Sequence, residues 1–437
     1  HVKLREYLYG QQPDFRRRLV HRKIAVLLEK ELERTPGDAR CYPQLAYHFS
    51  AAGNQLKSMK YRIASLNRHL NFCHEIFPIV SAEEEVESDF THYMSREKIE
   101  RLFRNLESDI QSFRASEPKT EELELLELEF FYMRGRYSIL EGGYDSGIRD
   151  ISEVIKLAQR LGKTDYIFEG YRQLICYSVQ VDDAKKMAQY IEPALDLAVR
   201  CNNHKEVGVL LRLKGLYNML IGNNLLAEKL LNESINTLSI TEGAAKNYAV
   251  NIAAAYDYLG EIRLAQQEYG PALELLDQAI SICPNNALTS LAVFYINGGK
   301  AAYFLQDRRL AKAYFEKAYS LYSQQDAFWL RPTMEAYLAL ILVEEGRLEE
   351  ALDHLEQARQ IMWQMKYPSD LGTVFFAQTL IRILADQDDH VRQVFGKFLS
   401  EAPERYCQLA KKHLNPNMDQ YELKYLDEMV KKAKGFT

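Results

Sequence analysis

The residues whose types and spacing come nearest to catalytic chemistry lie in two short stretches. In FYINGGKAAYF, Gly299 and Lys300 resemble the end of a phosphate-binding loop. Phe294 stands where that loop needs its first glycine, and Ala301 stands where a Ser or Thr must hold magnesium. CHEIFP begins like a zinc-binding H-E-x-x-H helix but has Pro78 in place of the second histidine. We therefore expect no catalytic residue, metal or cofactor, and do not expect this chain to be an enzyme by itself.

The sequence gives more support to a binding function than to catalysis, because arginines recur along the chain. Arg172 and Arg212 follow Tyr132 at successive intervals of 40 residues, close to the repeat described below, and Arg136 lies four residues after Tyr132. Guanidinium groups beside an aromatic ring suit an acidic peptide, or a phosphorylated or carboxylate ligand. The alternative is that these arginines solvate a groove or bridge to neighbouring acids such as Asp257. The full set of candidate partner-binding residues is Tyr132, Arg136, Arg172, Arg212, Asp257, Glu261, Lys300 and Tyr303.

A repeated pattern of small and large residues positions these side chains. At Ala272, Leu276 and Ala279, a small, a large and a small residue stand at offsets of four and three, which places them on one face of a helix. Similar copies recur at intervals of 39 to 45 residues. The first anchors of the six copies are Gly147, Met187, Ala227, Ala272, Ala311 and Ala351. Such a period is the signature of a helical repeat protein.

Each copy is preceded by a segment in which glycine is frequent. Twelve residues before the anchor, the glycines are Gly135, Gly215, Gly260 and Gly299. A residue without a side chain at this place lets the neighbouring helix approach closely. Five residues before the anchor, the glycines are Gly142, Gly222 and Gly346. Glycine there can adopt positive φ and end the first helix, so each unit is predicted to be helix, tight turn, helix.

The composition limits the class of protein. The chain has 437 residues, a formal net charge of −6 and a pI near 6.0, which disfavours direct nucleic-acid binding. No run approaches the roughly 18 apolar residues of a transmembrane helix. The six cysteines are scattered without a close pair, which favours free thiols. We therefore expect a cytoplasmic protein without a membrane partner.

The repeat resembles a known family. The tetratricopeptide repeat has small residues at three positions, a large residue at a fourth and a proline at a fifth. In this chain the small positions correspond to Gly260, Ala272 and Ala279, the large position to Leu276, and the proline to Pro284. This resemblance implies an all-α fold, a right-handed superhelical solenoid of antiparallel helix pairs, here with units of about 40 residues instead of about 34. It also implies that the candidate binding residues face the concave side. The paired Lys and Asn of the chaperone-binding members are absent.

The beginning of the chain resembles a second family. RRRLVHRKIAVLLE followed by LAYHFSAAGN is similar to the junction at which STAND-type signalling ATPases pass from their last ATPase helices into tetratricopeptide units. The resemblance implies a non-catalytic sensor or scaffold region of a larger bacterial ATPase, linked to transcription regulation or to a cyclase or kinase. That region would bind a protein, a peptide or an inducer and bias its own upstream ATPase domain. A stand-alone peptide-sensing regulator and a phage-defence STAND sensor remain as alternatives.

These patterns divide the chain into four predicted segments. They are residues 1–80 with the end of an ATPase module and a first helical hairpin, 81–124 as an acidic helical connector, 125–365 as the repeat array, and 366–437 as C-terminal capping helices. The chain opens at His1, without Met, in a helical pattern. The sequence therefore predicts a piece of a longer protein.

Overall fold

The protein is helical throughout the part of the chain that can be described. The computed structural model describes residues 7, 9–35, 39–70, 96–323, 329–365, 367–433 and 435. Within these ranges we number 21 α-helices, and no β-strand occurs. The predicted all-α architecture of paired helices is therefore confirmed. The CHEIFP stretch and the acidic residues 81–95 lie outside the described ranges.

The helices divide into two units, which are described separately. Among the described residues, the first unit comprises those between 7 and 70 and between 96 and 173, and the second comprises those from 174 to 435. The division falls within the helix Thr164–Gln180. The four segments expected from the sequence stay a prediction. No helix among the described residues is both long enough and apolar enough to cross a bilayer.

The first unit packs its helices around two aromatic clusters. Its helices are α1 (Asp14–Arg34), α2 (Tyr42–Ala51), α3 (Gln55–Leu70), α4 (Arg96–Ser116), α5 (Glu121–Leu140), α6 (Tyr144–Leu161) and the first part of α7 (Thr164–Gln180). Phe49 stacks on Tyr61 with ring centroids 5.6 Å apart, and Phe103 meets Phe130 edge to face. Helices α2 and α3 form one helix pair, and α5 and α6 form another.

The second unit continues the helix pairs. Its helices are the end of α7, then α8 (Ala184–Arg200), α9 (His204–Leu220), α10 (Asn224–Leu238), α11 (Glu242–Asn247), α12 (Ala249–Ala265), α13 (Tyr269–Ile282), α14 (Leu288–Phe304), α15 (Arg308–Tyr322), α16 (Arg331–Glu344), α17 (Leu348–Met365), α18 (Pro368–Gln387), α19 (Asp389–Phe395), α20 (Pro403–His413) and α21 (Gln420–Ala433). Successive helices pack as the pairs α9 with α10, α12 with α13, α14 with α15, and α16 with α17. Ala272, Leu276 and Ala279 are fully buried, so the predicted repeat face is core.

The glycines within the first helices make the pairs close-packed. A Cβ added at Gly215 would lie 2.8 Å from the side chain of Leu231, and one at Gly260 would lie 2.7 Å from that of Leu276. In both pairs the contacted leucine is the large residue of the repeat pattern. The predicted close approach of the two helices is confirmed at these positions.

Positive backbone φ marks the bend between paired helices. The predicted glycines there have φ of 78° at Gly142, 80° at Gly222 and 77° at Gly346. The same place in the other three units is held by Asp182, Gln267 and Gln306, with φ of 53°, 66° and 67°. The bend therefore requires a residue in the left-handed backbone conformation, whether or not that residue is glycine. The expected role of the three glycines is confirmed.

Gly299→Ala should lower the free energy of unfolding by about 1–3 kcal/mol, because overpacking displaces a well-packed neighbour. Its Cβ would lie 2.6 Å from the ring of Phe315. Gly298→Ala is the matched control, since its Cβ would approach Tyr314 no closer than 3.6 Å. That control should gain up to about 1 kcal/mol of helix propensity. Urea unfolding measures both variants, and equal destabilisation would argue against close packing at Gly299.

Candidate partner-binding site

Three of the predicted binding residues gather around one acid in the first unit. The Tyr132 hydroxyl donates to Glu169 Oε2 at 2.7 Å, and Arg172 forms an ion pair with the same carboxylate. The guanidinium of Arg136 lies 5.6 Å from the centre of the Tyr132 ring. Tyr132 and Arg136 are half-buried, whereas Arg172 is only 4% exposed. Glu169, which the sequence analysis did not single out, joins Tyr132 and Arg172, whereas Arg136 contacts the Tyr132 ring.

Arg212 is buried within the second unit. Its side chain is among the largest that are fully buried, and Nη2 donates to Asn251 Oδ1 at 3.1 Å. Its guanidinium lies 5.9 Å from the centre of the Tyr258 ring. Arg172 and Arg212 therefore both have partners inside the helix packing. Their assignment to partner binding stays a prediction.

Buried Asp257 and half-buried Glu261 form a carboxyl pair on α12. They lie four residues apart, so they share one helix face, and their side chains are hydrogen-bonded. Asn297 Nδ2 donates to both oxygens of Asp257, at 3.1 and 3.2 Å. Burial raises the pKa of Asp257 to about 7, and burial together with the Asp257 charge raises the pKa of Glu261 well above its ordinary value. Two carboxyls on one helix face disfavour ionisation of both at once, which is consistent with both pKa values being raised.

Lys300 is the buried cation that faces these acids. It is 4% exposed and lies in the middle of α14, so GGK belongs to a helix and not to a phosphate-binding loop. Burial by itself lowers the pKa of Lys300, but the nearby carboxyls outweigh burial and raise it. Those carboxyls belong to Glu422, Asp419, Glu261 and Asp370. Two of them come from the C-terminal end of the chain.

The C-terminal segment, residues 415–433, supplies these acids. Glu422 is fully buried and accepts hydrogen bonds from the Tyr337 hydroxyl and from Thr373 Oγ1 at 3.4 Å. The Tyr421 ring packs edge to face on Phe304, with centroids 4.9 Å apart, and Lys300 Nζ lies 5.4 Å from the centre of the Tyr421 ring. The helix α21 therefore docks through its Tyr421–Glu422 side onto α14, α16 and α18.

The start of the C-terminal segment contacts two bends of the repeat. Asn417 Nδ2 donates to the backbone carbonyl of Leu220 at 2.8 Å, and its side chain lies against Gly222. The side chain of Asn415 hydrogen-bonds Asp182, which holds the equivalent bend position one unit earlier. The surface beneath this segment is called the docking face. It consists of the sides of the helices that face the segment, which are α9, α12, α14, α16 and α18. Asp257, Glu261 and Lys300 of the predicted set belong to it.

Tyr303 has a different environment from Lys300, the other predicted residue on α14. Its hydroxyl donates to Glu344 Oε1 at 3.4 Å, and the Arg308 guanidinium lies 3.7 Å from the centre of its ring. Tyr303 is 2% exposed. Sequence reasoning missed Tyr337 and Glu422, and the polar Tyr337 within the apolar stretch YLALILV was the available signal for the first of them.

Three comparisons with known proteins were made. No family model and no curated protein matches the sequence. Among solved structures, the apo form of RapI is 12% identical with a TM-score of 0.44, covering 86% of this chain and 98% of that one. A Rap protein complexed with competence and sporulation factor is 14% identical with a TM-score of 0.46, covering 87% and 100%. Identities and TM-scores this low assign neither a family nor a function to this chain.

The stability of the protein should fall as pH rises from about 5 to about 7. Burial raises the pKa of Asp257, Asp370 and Glu422 to about 7, whereas unfolded carboxyls titrate near 4. Between these values the folded state binds more protons, so the free energy of unfolding decreases with pH and levels off above about 7. We expect a loss of at least about 2 kcal/mol in urea unfolding series. Asp370→Asn should flatten the slope, and a wild-type stability that rises over this range would refute the assignment.

Proposed function

We propose that this chain is a non-catalytic, regulatory protein- or peptide-binding scaffold, and that the docking face is its binding surface. The observation that carries the proposal is that this face already holds a peptide-like segment through specific side-chain contacts. Glu422 receives donors from two different helices, and Asn417 binds the end of a third. Recognition of a helix by a groove lined with the helices of a repeat is a recurring mode of peptide binding.

The buried polar groups of this face support specific recognition. Asn297, Thr373 and Lys300 are each no more than 4% exposed and lie on α14 and α18. A buried polar group without a partner is unfavourable by about 1–3 kcal/mol. A face that buries such groups therefore discriminates between segments that satisfy them and segments that do not. The chemistry favours side-chain-specific binding over general apolar association.

Peptide selection on the folded chain tests this function. Peptides displayed on phage are selected against the whole chain, and the selected peptides are then synthesised with a photo-crosslinker. We expect crosslinks to map to α12, α14, α16 and α18. Crosslinks confined to α13, α15 and α17, or the absence of any peptide that binds the folded chain, would reject the docking face as the binding surface.

We further propose that the scaffold serves as a cytoplasmic sensor region of a STAND-type signalling ATPase. The basic helix α1 and the hairpin of α2 and α3 support this finer reading, since they occupy the stretch that resembles the ATPase junction. The coding sequence upstream of His1 tests it directly. A phosphate-binding loop within a few hundred codons supports the ATPase reading. An open reading frame that starts near His1 supports the stand-alone peptide-sensing regulator.

A further inference from the structure

Helix α1 carries a concentration of exposed apolar side chains. Half of the exposed large apolar residues in the described part of the chain lie between residues 7 and 47. On the inner side of α1, Ala25 and His21 are 0% and 5% exposed and lie against α2. An apolar patch on the opposite side of such a helix marks an interaction surface. The apolar residues of α1 that are 39% to 72% exposed are Phe15, Leu19, Val20, Val26 and Leu27.

A row of cations runs between these apolar side chains. Arg16, Lys23 and Lys30 are all exposed and stand seven residues apart. They therefore lie along one line of the helix, about 10 Å from one to the next. At 3.6 residues per turn, an apolar line runs on each side of the cation row. The two apolar lines are Leu19 with Val26, and Val20 with Leu27. We call the cation row and both apolar lines together the outer face of α1.

The cations of the outer face have no counter-charge within the described residues. Between residues 15 and 30, Glu29 is the single acid of the sequence. Its carboxylate is already held, by Lys57 at 2.8 Å and by the Tyr61 hydroxyl at 2.7 Å. The side chains of the three row cations form no ion pair or hydrogen bond with any residue that the structure describes. The outer face is therefore complementary to a surface that is both acidic and apolar.

The order of the three lines distinguishes between kinds of partner. A helix that lies on a bilayer places apolar residues at the centre of its exposed face and cations at the edges. On α1 the cations are at the centre, so they would enter the bilayer first. Two copies of this chain meeting through α1 would bring their cation rows together, and like charges repel. A helix with acids between two apolar lines matches all three lines at once.

We propose that the outer face of α1 binds an amphipathic helix of a separate protein, with Glu or Asp at seven-residue intervals between apolar residues. The acids of that helix would pair with Arg16, Lys23 and Lys30. Its apolar residues would cover the two exposed apolar lines. This surface shares no helix with the docking face, so it gives the scaffold a second partner in addition to the one that the docking face binds.

Two synthetic probes test this proposal on the full chain. Both are fluorescein-labelled helical peptides of three heptads, with leucine on each side of one variable position per heptad. That position is glutamate in the first probe and glutamine in the second. We expect the glutamate probe to bind at least about tenfold more tightly at low salt, with a preference that shrinks as salt is added. Hydrogen–deuterium exchange should show protection of α1. No binding of the glutamate probe, or equal binding of both probes, would overturn the proposal.

Exposed lysines provide a matched pair of charge variants. Lys23→Gln with Lys30→Gln should weaken the glutamate probe roughly tenfold and leave the glutamine probe unchanged. Lys317→Gln with Lys424→Gln removes two exposed lysines from the second unit and is the control. The control should bind both probes as the unmodified chain does. Equal weakening in the two double variants would show that net charge, and not the cation row, attracts the probe.

Exposed leucines provide the matched pair for the apolar lines. Leu27→Gln should weaken both probes about fivefold, because it removes an apolar contact that the two probes share. Leu225→Gln on α10 is the control, since Leu225 is 86% exposed. Both substitutions are at exposed positions, so thermal unfolding should be close to that of the unmodified chain. Unchanged binding in Leu27→Gln would contradict a helix seated along the apolar lines.

Other occupants of the outer face give different results, and each would overturn the proposal. Phosphatidylserine vesicles that displace the glutamate probe would assign the face to a membrane. Self-association that is lost in Leu27→Gln, measured by sedimentation, would assign it to a second copy. Glu83, Glu84 and Glu85 lie outside the described residues. Probe binding that appears only when these three are replaced by Gln would assign the face to the chain's own acidic stretch. None of these results changes where selected peptides crosslink on the docking face, so this inference and the proposed function fail independently.

Discussion

Lys300→Met is expected to lower the free energy of unfolding by about 3 kcal/mol or more at pH 8, and by much less at pH 5. Among the carboxyls around Lys300, burial raises the pKa of Asp370 and of Glu422 to about 7, so these two are largely ionised at pH 8 and lose their counter-charge. At pH 5 both are protonated and need no counter-charge. Methionine fills most of the lysine volume, so the loss at high pH reports charge and not a cavity.

Lys312→Met is the matched control for this substitution. It changes the net charge by the same amount on the adjacent helix α15, where Lys312 forms a 2.6 Å ion pair with Glu345 and is partly exposed. A pair of this kind contributes about 0–1 kcal/mol. Urea unfolding of both variants at pH 5 and pH 8 makes the comparison. A loss for Lys300→Met that is the same at both pH values would show that the carboxyls do not set its effect.

The sequence predicts the fold well because the repeat depends on local constraints. Glycine in the middle of a helix is unfavourable, so its recurrence at Gly215, Gly260 and Gly299 indicates a packing need that outweighs helix propensity. The positive φ at Gly222 and Gly346 follows from the same local reasoning. Both features can be read within one unit of the repeat.

The candidate site is predicted only in part. The register places Asp257, Glu261 and Lys300 on one face, because equivalent positions of successive repeats lie side by side, and their role in partner binding stays a prediction. It does not reveal what covers that face. The amphipathic, Lys-rich pattern of α21 is typical of a capping helix, and the sequence does not show that Tyr421 and Glu422 are its buried side. That contact joins residues far apart along the chain and depends on the tertiary packing.

The burial of Arg212 shows a second limit on what the position of a residue within the repeat can predict. Position in the repeat favours an inward direction for Arg212, and an inward direction alone suggests exposure in a groove. In the structure, the second unit fills this direction with Asn251 and Tyr258, and the guanidinium is used in packing. An inward-facing position therefore indicates a ligand site only where no neighbouring side chain occupies the space.

Arg212→Ala is therefore expected to destabilise the protein by about 2–4 kcal/mol, in contrast to the small effect expected of an exposed arginine. The substitution leaves a cavity next to Tyr258 and removes the hydrogen bond to Asn251. Arg212→Met fills the space without the charge. It should lose less than about 1.5 kcal/mol, since burial lowers the pKa of Arg212 and so disfavours its charged form.

Lys214→Ala on the same helix serves as the control for Arg212→Ala. Lys214 is partly exposed and pairs with Glu192 at 2.9 Å, so its removal should change stability by no more than about 1 kcal/mol. Thermal and urea unfolding of the three variants give the ranking. If Arg212→Ala is as stable as Lys214→Ala but binds a peptide selected on the docking face more weakly, then Arg212 contributes to partner binding. If it unfolds readily while Arg212→Met captures the peptide normally, Arg212 serves the scaffold, as its burial predicts.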